Sequence, residues 1–382
     1  MAKNYYTIGI DARFYGPVGK GLGRYAQEVI DRLLVLDQTN HYVVFLTKDN
    51  FDVFYTDNPR VKKVLADVRW YSWDEQFKMP KIIDNELLDL MHYLHFNVPF
   101  LARTPFVVTI HDLILYRYPT VRASTLYPIY YWFKNMAYRL IINMAVRRSR
   151  KIIAVSEFTK QDIIKQFNVN PDKVAVTYEG IATFAETTAA QADSQAVLAR
   201  LTINKPYLLY VGNAYPHKNL EWLINSLADS NLQDINLVLV GREDYFYKRL
   251  KELAATKSQP DKFIFPGFVT DKDLKVLYQQ ALAYVFPSFY EGFGLPPLEA
   301  MALGCPVLSA RTSSLPEVLG AAALYFDPQD QQSLLAVIDQ MLNNEPLRQQ
   351  MIVLGKARSN VFSWQECAAK TLAIYNKLCA RS

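Results

Sequence analysis

Short apolar runs alternate with segments of helical periodicity from one end of the chain to the other, which is the pattern of parallel strands joined by crossover helices. In the first half YTIGIDA, YVVFLTK, DLMHYLHF, PFVVTIHD, KIIAVS and KVAVTYEG predict strands, and in the second half PYLLYVGN, INLVLVG, KFIFPGF, ALAYVFPS, PVLSA and ALYFDP do so. Between the two sets, residues 183–200 are rich in Ala, Thr and Gln, a composition shift that predicts a linker. The chain therefore reads as α/β with two doubly wound sheets, in domains at 1–183 and 184–362. Residues 363–382 predict a last helix, with packing back on the first domain as one open docking. Two such sheets facing each other would leave a cleft at the carboxyl ends of their strands, where ligands of open α/β sheets bind.

One stretch carries the densest chemistry. In EGFGLPPLE, Glu291 and Glu299 bracket two glycines and two prolines, directly after the strand ALAYVFPS. Gly292 and Gly294 permit backbone angles that a Cβ resists, and Pro296 and Pro297 suit the first turn of a helix. That helix runs through LEAMAL to a stop at Gly304. The N–H groups around Phe293, Gly294 and Leu295 then surround a helix start, a place that attracts phosphate. The two carboxylates are left to grip hydroxyls, the layout a sugar nucleotide would want. By spacing alone, a surface helix with an incidental Glu at each end fits equally well.

Other loops add candidates. After PYLLYVG comes NAYPHKNL, where Lys218 at the head of a helix can neutralise a diphosphate, with His217 as a further donor and Asn213 just past the glycine. His111 and Asp112 follow the strand PFVVTI, where a catalytic side chain would sit, and a structural histidine fits the same position. His41, His92 and His95 lie in strand-like runs and are weaker candidates. GPVGKGLGRY sets Gly16, Gly19, Gly21 and Gly23 between a strand and a helix, yet it fits neither the Walker nor the dinucleotide glycine spacing. A loop that closes over a ligand is the expectation there. Asp271 and Asp273 mimic a metal-binding pair, but Thr270 capping a helix explains them better. No metal site and no cofactor are expected.

The 382-residue chain is 51% hydrophobic and 21% charged, ordinary for a soluble protein, and it lacks a signal peptide and a spanning helix, so a cytoplasmic location is expected. Cys305, Cys367 and Cys379 have no metal spacing and read as reduced packing thiols. The net charge of +5 is too mild to argue for nucleic acid. Residues 125–151 combine five aromatic rings early in the run with a basic end, Arg147, Arg148, Arg150 and Lys151. They read either as an amphipathic basic helix on an anionic membrane surface or as a core helix whose basic last turn complements its dipole.

Taken in order, GIDARF, GLGRY, TIHDL, IIAVSEFTK, YVGNAYPHKNL, GFVTDKDL and EGFGLPPLEAMALGCPVLSA resemble the retaining glycosyltransferases of family 4, and they cover nearly the whole chain. The resemblance implies the GT-B architecture, two Rossmann-like domains facing across a cleft. It also implies metal-independent transfer of a sugar from a nucleotide diphosphate to a hydroxyl with the anomeric configuration kept. By the same resemblance Glu299 holds the ribose, Glu291 with Phe293 and Gly294 the transferred sugar, and Lys218 the diphosphate. His111 faces the donor sugar, Gly21 and Gly23 lie against the phosphates, and Val269 contacts the base. Asn213 and His217 stand where many members carry arginine, which leaves more of the diphosphate to Lys218. The TIHDL and PHKN forms look like members that use GDP-mannose in bacterial polysaccharide synthesis. UDP-sugar donors are the alternative, the acceptor being a saccharide or a lipid-linked one. A dehydrogenase lacks its glycine fingerprint here, and a sugar-nucleotide-binding module without catalysis is the reading from another class.

Overall fold

Seven parallel strands, β1 (Thr7–Asp11), β2 (His41–Leu46), β3 (Val61–Leu65), β4 (Leu90–Tyr93), β5 (Phe106–Ile110), β6 (Lys151–Ala154) and β7 (Val174–Val176), form one sheet in the order β3-β2-β1-β4-β5-β6-β7. Six more, β8 (Tyr207–Val211), β9 (Asn236–Val240), β10 (Phe263–Gly267), β11 (Ala283–Phe286), β12 (Val307–Ala310) and β13 (Ala323–Phe326), form a second in the order β10-β9-β8-β11-β12-β13. The computed structural model describes residues 5–119, 128–181, 191–232 and 234–380. The chain divides into a first unit, Met1–Gly180 with Ser363–Ser382, and a second, Ile181–Phe362. Every predicted strand is present. The addition is β3, whose sequence VKKVL has Lys62 and Lys63 near the middle and has no fully buried position. It sits at a sheet edge, where lysines discourage pairing with another chain.

Central strands such as β5 are buried along their whole length, because helices cover both faces of a parallel sheet. In the predicted linker, residues 183–190 lie outside the described ones, and Gln191–Arg200 is a helix. The glycine segment differs from expectation. Helix Lys20–Leu36 begins early, with Gly19 as its N-cap, so Gly21 and Gly23 lie in its first turn and not in a loop. A Cβ on Gly23 would stand 2.0 Å from the Gly16 carbonyl oxygen and 2.5 Å from that of Phe14, so glycine is required by close backbone approach.

Ser363 caps the last helix, Trp364–Cys379, by accepting from the Gln365 amide. That helix belongs to the first unit and packs along helix Lys20–Leu36. Its anchors are buried Trp364, Cys367 and Tyr375, with the Tyr375 hydroxyl on Nδ1 of His92 in β4. The three cysteines are buried thiols outside any disulfide.

Residues 128–148 of the basic aromatic segment form helix Pro128–Arg148, while 125–127 lie outside the described residues. It is not amphipathic in the expected sense, because apolar residues occupy opposite faces. Tyr138, Ile142, Ala145 and Val146 are buried, whereas Trp132, Phe133, Met136 and Leu140 are exposed, at 59%, 54%, 42% and 56%. At about 100° per residue the two sets lie on opposite sides of the axis. Arg148 spends its guanidinium on the Phe100 and Ala102 carbonyls.

Candidate active site

In each sheet the strand order reverses once, between β1 and β4 in the first and between β8 and β11 in the second, and open α/β sheets bind ligands at the carboxyl end of that reversal. Apart from Val269, which follows the edge strand β10, the predicted residues lie after strands at or next to these two places, each within its own unit.

In the second unit the β8 loop bends through Gly212 and Asn213 into a turn, Pro216–Lys218, ahead of helix Leu220–Ala228. Asn219 adopts a left-handed conformation between them, which sets Lys218 on the turn instead of inside the helix. The β11 loop leads to helix Leu295–Ala302, whose N-cap is Gly294 at φ 109°. Because β8 and β11 are neighbours, the two loops meet: the Phe289 amide donates to the His217 carbonyl at 2.8 Å. Lys218 Nζ donates to Glu291 Oε1 at 2.6 Å, with the side chains only 12% and 11% exposed, and the ammonium lies 5.2 Å from the Phe286 ring centroid. Two serines between β12 and the next helix hold the glutamate's backbone. Ser313 Oγ accepts from the Glu291 amide at 2.9 Å, and Ser314 Oγ donates to the Glu291 and Phe293 carbonyls at 3.0 and 2.9 Å. Pro296 and Pro297 lack N–H groups, so the first turn offers only the Leu295 and Leu298 amides. Glu299 lies half-buried one turn in, as the proline signal implied.

His217 carries no charge near neutrality. Burial, helped by the adjacent Lys218 charge, lowers its pKa to about 4 against a smaller opposing effect of Glu291. Val269 is buried in the loop after β10, beside exposed Phe268. Asp271 and Asp273 stand in the first turn of helix Asp271–Gln280, where Thr270 Oγ1 accepts from the Asp273 amide at 3.3 Å and Arg200 pairs with Asp273. Among the described residues, no group of three His, Cys, Asp or Glu side chains is placed to hold a metal ion.

In the first unit His111 follows β5, with its ring edge-on to Tyr25 at 4.5 Å. Nδ1 faces Glu179 Oε1 at 3.1 Å and Nε2 faces the Leu94 carbonyl at 3.0 Å. Both partners only accept, so the imidazolium satisfies both contacts at once and the neutral ring satisfies one. Burial opposes that charge, but hydrogen bonding and charge from Glu179 outweigh it, with the Leu94 carbonyl and Asp112 assisting, and the pKa is raised. Glu179 gave no sequence signal beyond standing after a strand. A second buried network joins Arg13 to Asp11 and Glu75 at 2.7 Å each.

The protein family described as Glycosyltransferase Family 4 matches residues 19–183, and Glycosyl transferases group 1 matches residues 197–358. The O-antigen chain mannosyltransferase B of Escherichia coli is 28% identical over 379 residues, covering 94% of this chain and 96% of its own. The O-antigen chain mannosyltransferase RfbU of Salmonella typhimurium is 32% identical over 273 residues, covering 70% of this chain and 69% of its own. Among solved structures, sucrose-phosphate synthase from Thermosynechococcus elongatus superposes with a TM-score of 0.75 at 19% identity, over 99% of this chain and 100% of that one.

Proposed function

Since the chain belongs to the family 4 glycosyltransferases and has their GT-B architecture, we propose that it moves mannose from GDP-mannose to a hydroxyl of a saccharide or lipid-linked acceptor, with retention and without a metal. The observation that carries this reading is the buried Lys218–Glu291 pair at the strand-order reversal of the second sheet. As the glycosidic bond to phosphate breaks, negative charge grows on the departing diphosphate, and a pre-aimed ammonium stabilises that charge more than the ground state. Lys218 is suited to this because Glu291 fixes its position and the neutral His217 adds no competing charge. Glu291 and Glu299 grip hydroxyls of the sugar and the ribose, and Val269 meets the base. His111, Gly21 and Gly23 serve the donor from the first unit. Neither glutamate stands as a nucleophile, and the leaving phosphate takes the acceptor proton. Mannose is supported by the two mannosyltransferase relatives.

The test is incubation with GDP-mannose, UDP-glucose and ADP-glucose in the presence of a mixed saccharide and lipid-linked acceptor preparation, reading nucleoside diphosphate release and the anomeric configuration of the product. Release of GDP with an α-mannoside product is expected. No release from any donor overturns the reading, release of UDP moves the donor to the alternative, and an inverted product removes retention.

The same proposal includes peripheral contact with an anionic membrane through helix Pro128–Arg148. Its outer face exposes Trp132, Phe133, Met136 and Leu140, and the helix carries Lys134, Arg139, Arg147 and Arg148 with no acidic residue. No helix among the described residues is long and apolar enough to cross a membrane. Flotation with phosphatidylglycerol vesicles is expected to carry the wild type up and to leave a Trp132→Ser, Leu140→Ser variant behind. Absence of wild-type flotation removes the contact.

A further inference from the structure

Both nitrogens of the His111 ring are already committed to the protein. Nδ1 faces the Glu179 carboxylate at 3.1 Å and Nε2 faces the Leu94 carbonyl at 3.0 Å, with the His111 and Glu179 side chains only 14% and 8% exposed. A histidine that works as a general base needs a nitrogen lone pair, and one that binds a sugar hydroxyl through nitrogen needs a position free for it. Two acceptors of the first unit occupy those positions. What the ring can still contribute is charge.

The geometry around this pair is closely determined. Glu179 follows β7, and the next residue, Gly180, meets the start of the last helix so tightly that a Cβ on it would stand 2.1 Å from the Trp364 amide nitrogen. Tyr25, which packs edge-on against His111, is itself tied to that helix by a run of buried hydrogen bonds. The Tyr375 hydroxyl meets Nδ1 of His92, Nε2 of His92 meets Thr109 Oγ1 at 2.8 Å, and Thr109 Oγ1 meets the Tyr25 hydroxyl at 3.3 Å. Among the titratable groups nearby, burial lowers His92 and His95 to about 3, with the His111 charge adding, so both rings are neutral. Burial also raises the Tyr25 hydroxyl, and it raises the neighbouring Cys367 thiol to about 12, so neither is charged near neutrality. That leaves two carboxylates, Glu179 and Asp112. Asp112 Oδ1 accepts from the Ile114 amide at 2.9 Å, whereas Glu179 touches the imidazole directly.

We propose that Glu179 is the positioning residue for His111, fixing its ring as an imidazolium that serves the transfer through its charge and moves no proton. With Nδ1–H donated to Glu179 and Nε2–H to the Leu94 carbonyl, the ring keeps no lone pair with which to deprotonate an acceptor hydroxyl. A fixed, largely buried positive charge instead stabilises negative charge as it grows on the departing diphosphate. The acceptor proton therefore goes to the leaving phosphate. That the charge acts on the donor rests on the proposed glycosyl transfer; the state of the ring and its dependence on Glu179 do not.

The test is a histidine NMR titration of the full chain without nucleotide, the His111 signal being identified by its loss in His111→Asn. In the wild type its midpoint is expected above the ordinary 6.5, with both ring nitrogens protonated below it. Glu179→Gln keeps the shape and an acceptor oxygen but removes the charge, and should lower the midpoint by about one pH unit or more. Turnover should follow the same group. The alkaline limb of kcat moves to lower pH by the same amount, so that above both midpoints the variant is about tenfold slower and recovers on acidification. A wild-type midpoint at or below 6.5, the same midpoint in both proteins, or coincident alkaline limbs overturns the proposal. The wild-type titration decides the ring's state even if the variant fails to fold. A midpoint that shifts as expected, with no nucleoside diphosphate released from any donor, would instead overturn the enzymatic reading and leave the Glu179–His111 pairing standing.

Discussion

Lys218→Met keeps the length of the side chain and removes its charge, which turns the pairing with Glu291 into a measurable quantity. At 2.6 Å two unit charges attract by about 6 kcal/mol at an effective dielectric constant of about 20. Most of that offsets the desolvation of two groups that are nearly buried, so the net contribution of the pair is small. Breaking it is different. The single variant leaves the Glu291 carboxylate buried without its partner, and Glu291→Gln leaves the ammonium so, each expected to cost about 3 kcal/mol of stability. The double variant removes both charges and should recover most of that loss. Activity should follow another course. If Lys218 stabilises charge on the departing diphosphate, its loss removes about 3–4 kcal/mol from the transition state, or roughly 10²–10³ in kcat/KM. Activity then stays low in the double variant although stability returns. Urea denaturation and donor kcat/KM on the four proteins decide the matter. Recovery of wild-type kcat/KM by the double variant would show that the pair only holds two loops together and would refute the diphosphate assignment.

Glu299→Ala should weaken GDP binding roughly tenfold in calorimetry, the loss of one charge-assisted hydrogen bond to ribose, with a smaller effect on kcat; an unchanged Kd removes that role. Gly21→Ala meets no atom within 4 Å and should stabilise the helix by about 1 kcal/mol, while lowering kcat/KM for donor if a phosphate comes close to this turn. Gly23→Ala drives a Cβ into two carbonyl oxygens and should destabilise by about 2 kcal/mol or more, so equal melting temperatures for the two variants would contradict the close approach. Burial, with His111 adding, lowers the His92 pKa from 6.5 to about 3. The unfolded chain therefore binds a proton that the folded one does not, and stability falls as pH drops below 6.5, by about 2 kcal/mol at pH 5 from this group. His111 has a raised pKa and acts oppositely, its contribution being lost as pH rises through its folded value. His92→Gln should flatten the acid side of the denaturation profile, and a profile unchanged by that substitution would contradict the buried neutral ring.

The strands were legible because a parallel strand covered on both faces is a continuous apolar run, as FVVTI of β5 shows. β3 was not, because an edge strand with two lysines carries no such run. Glycine and proline punctuation located the helix start at Leu295, yet the same kind of punctuation misplaced Gly21 and Gly23, which lie in the first turn of a helix and not in a loop, Gly23 alone serving close backbone approach. The candidate residues were readable one loop at a time. Their partners were not. Lys218 and Glu291 are 73 positions apart and His111 and Glu179 are 68 apart. Each pair is made by strand order, which periodicity does not encode. Ser313 and Ser314 act through backbone atoms of Glu291 and Phe293, and such contacts leave no mark in residue type. Helix Pro128–Arg148 stayed open between a membrane-surface and a core reading for a related reason: aromatic and basic content shows that a helix has apolar surface, but not that this surface lies on two opposite faces.

The central claim is that the second unit holds a nucleoside diphosphate between Lys218 and Glu299. Its most direct measurement is the thermal shift of the full chain with GDP, UDP and ADP, repeated on Lys218→Met and Glu299→Ala. Binding to the folded state alone raises the melting temperature in proportion to affinity. The account predicts the largest rise with GDP, reduced in both variants. No rise with any of the three diphosphates, or a rise that survives both substitutions unchanged, would contradict it.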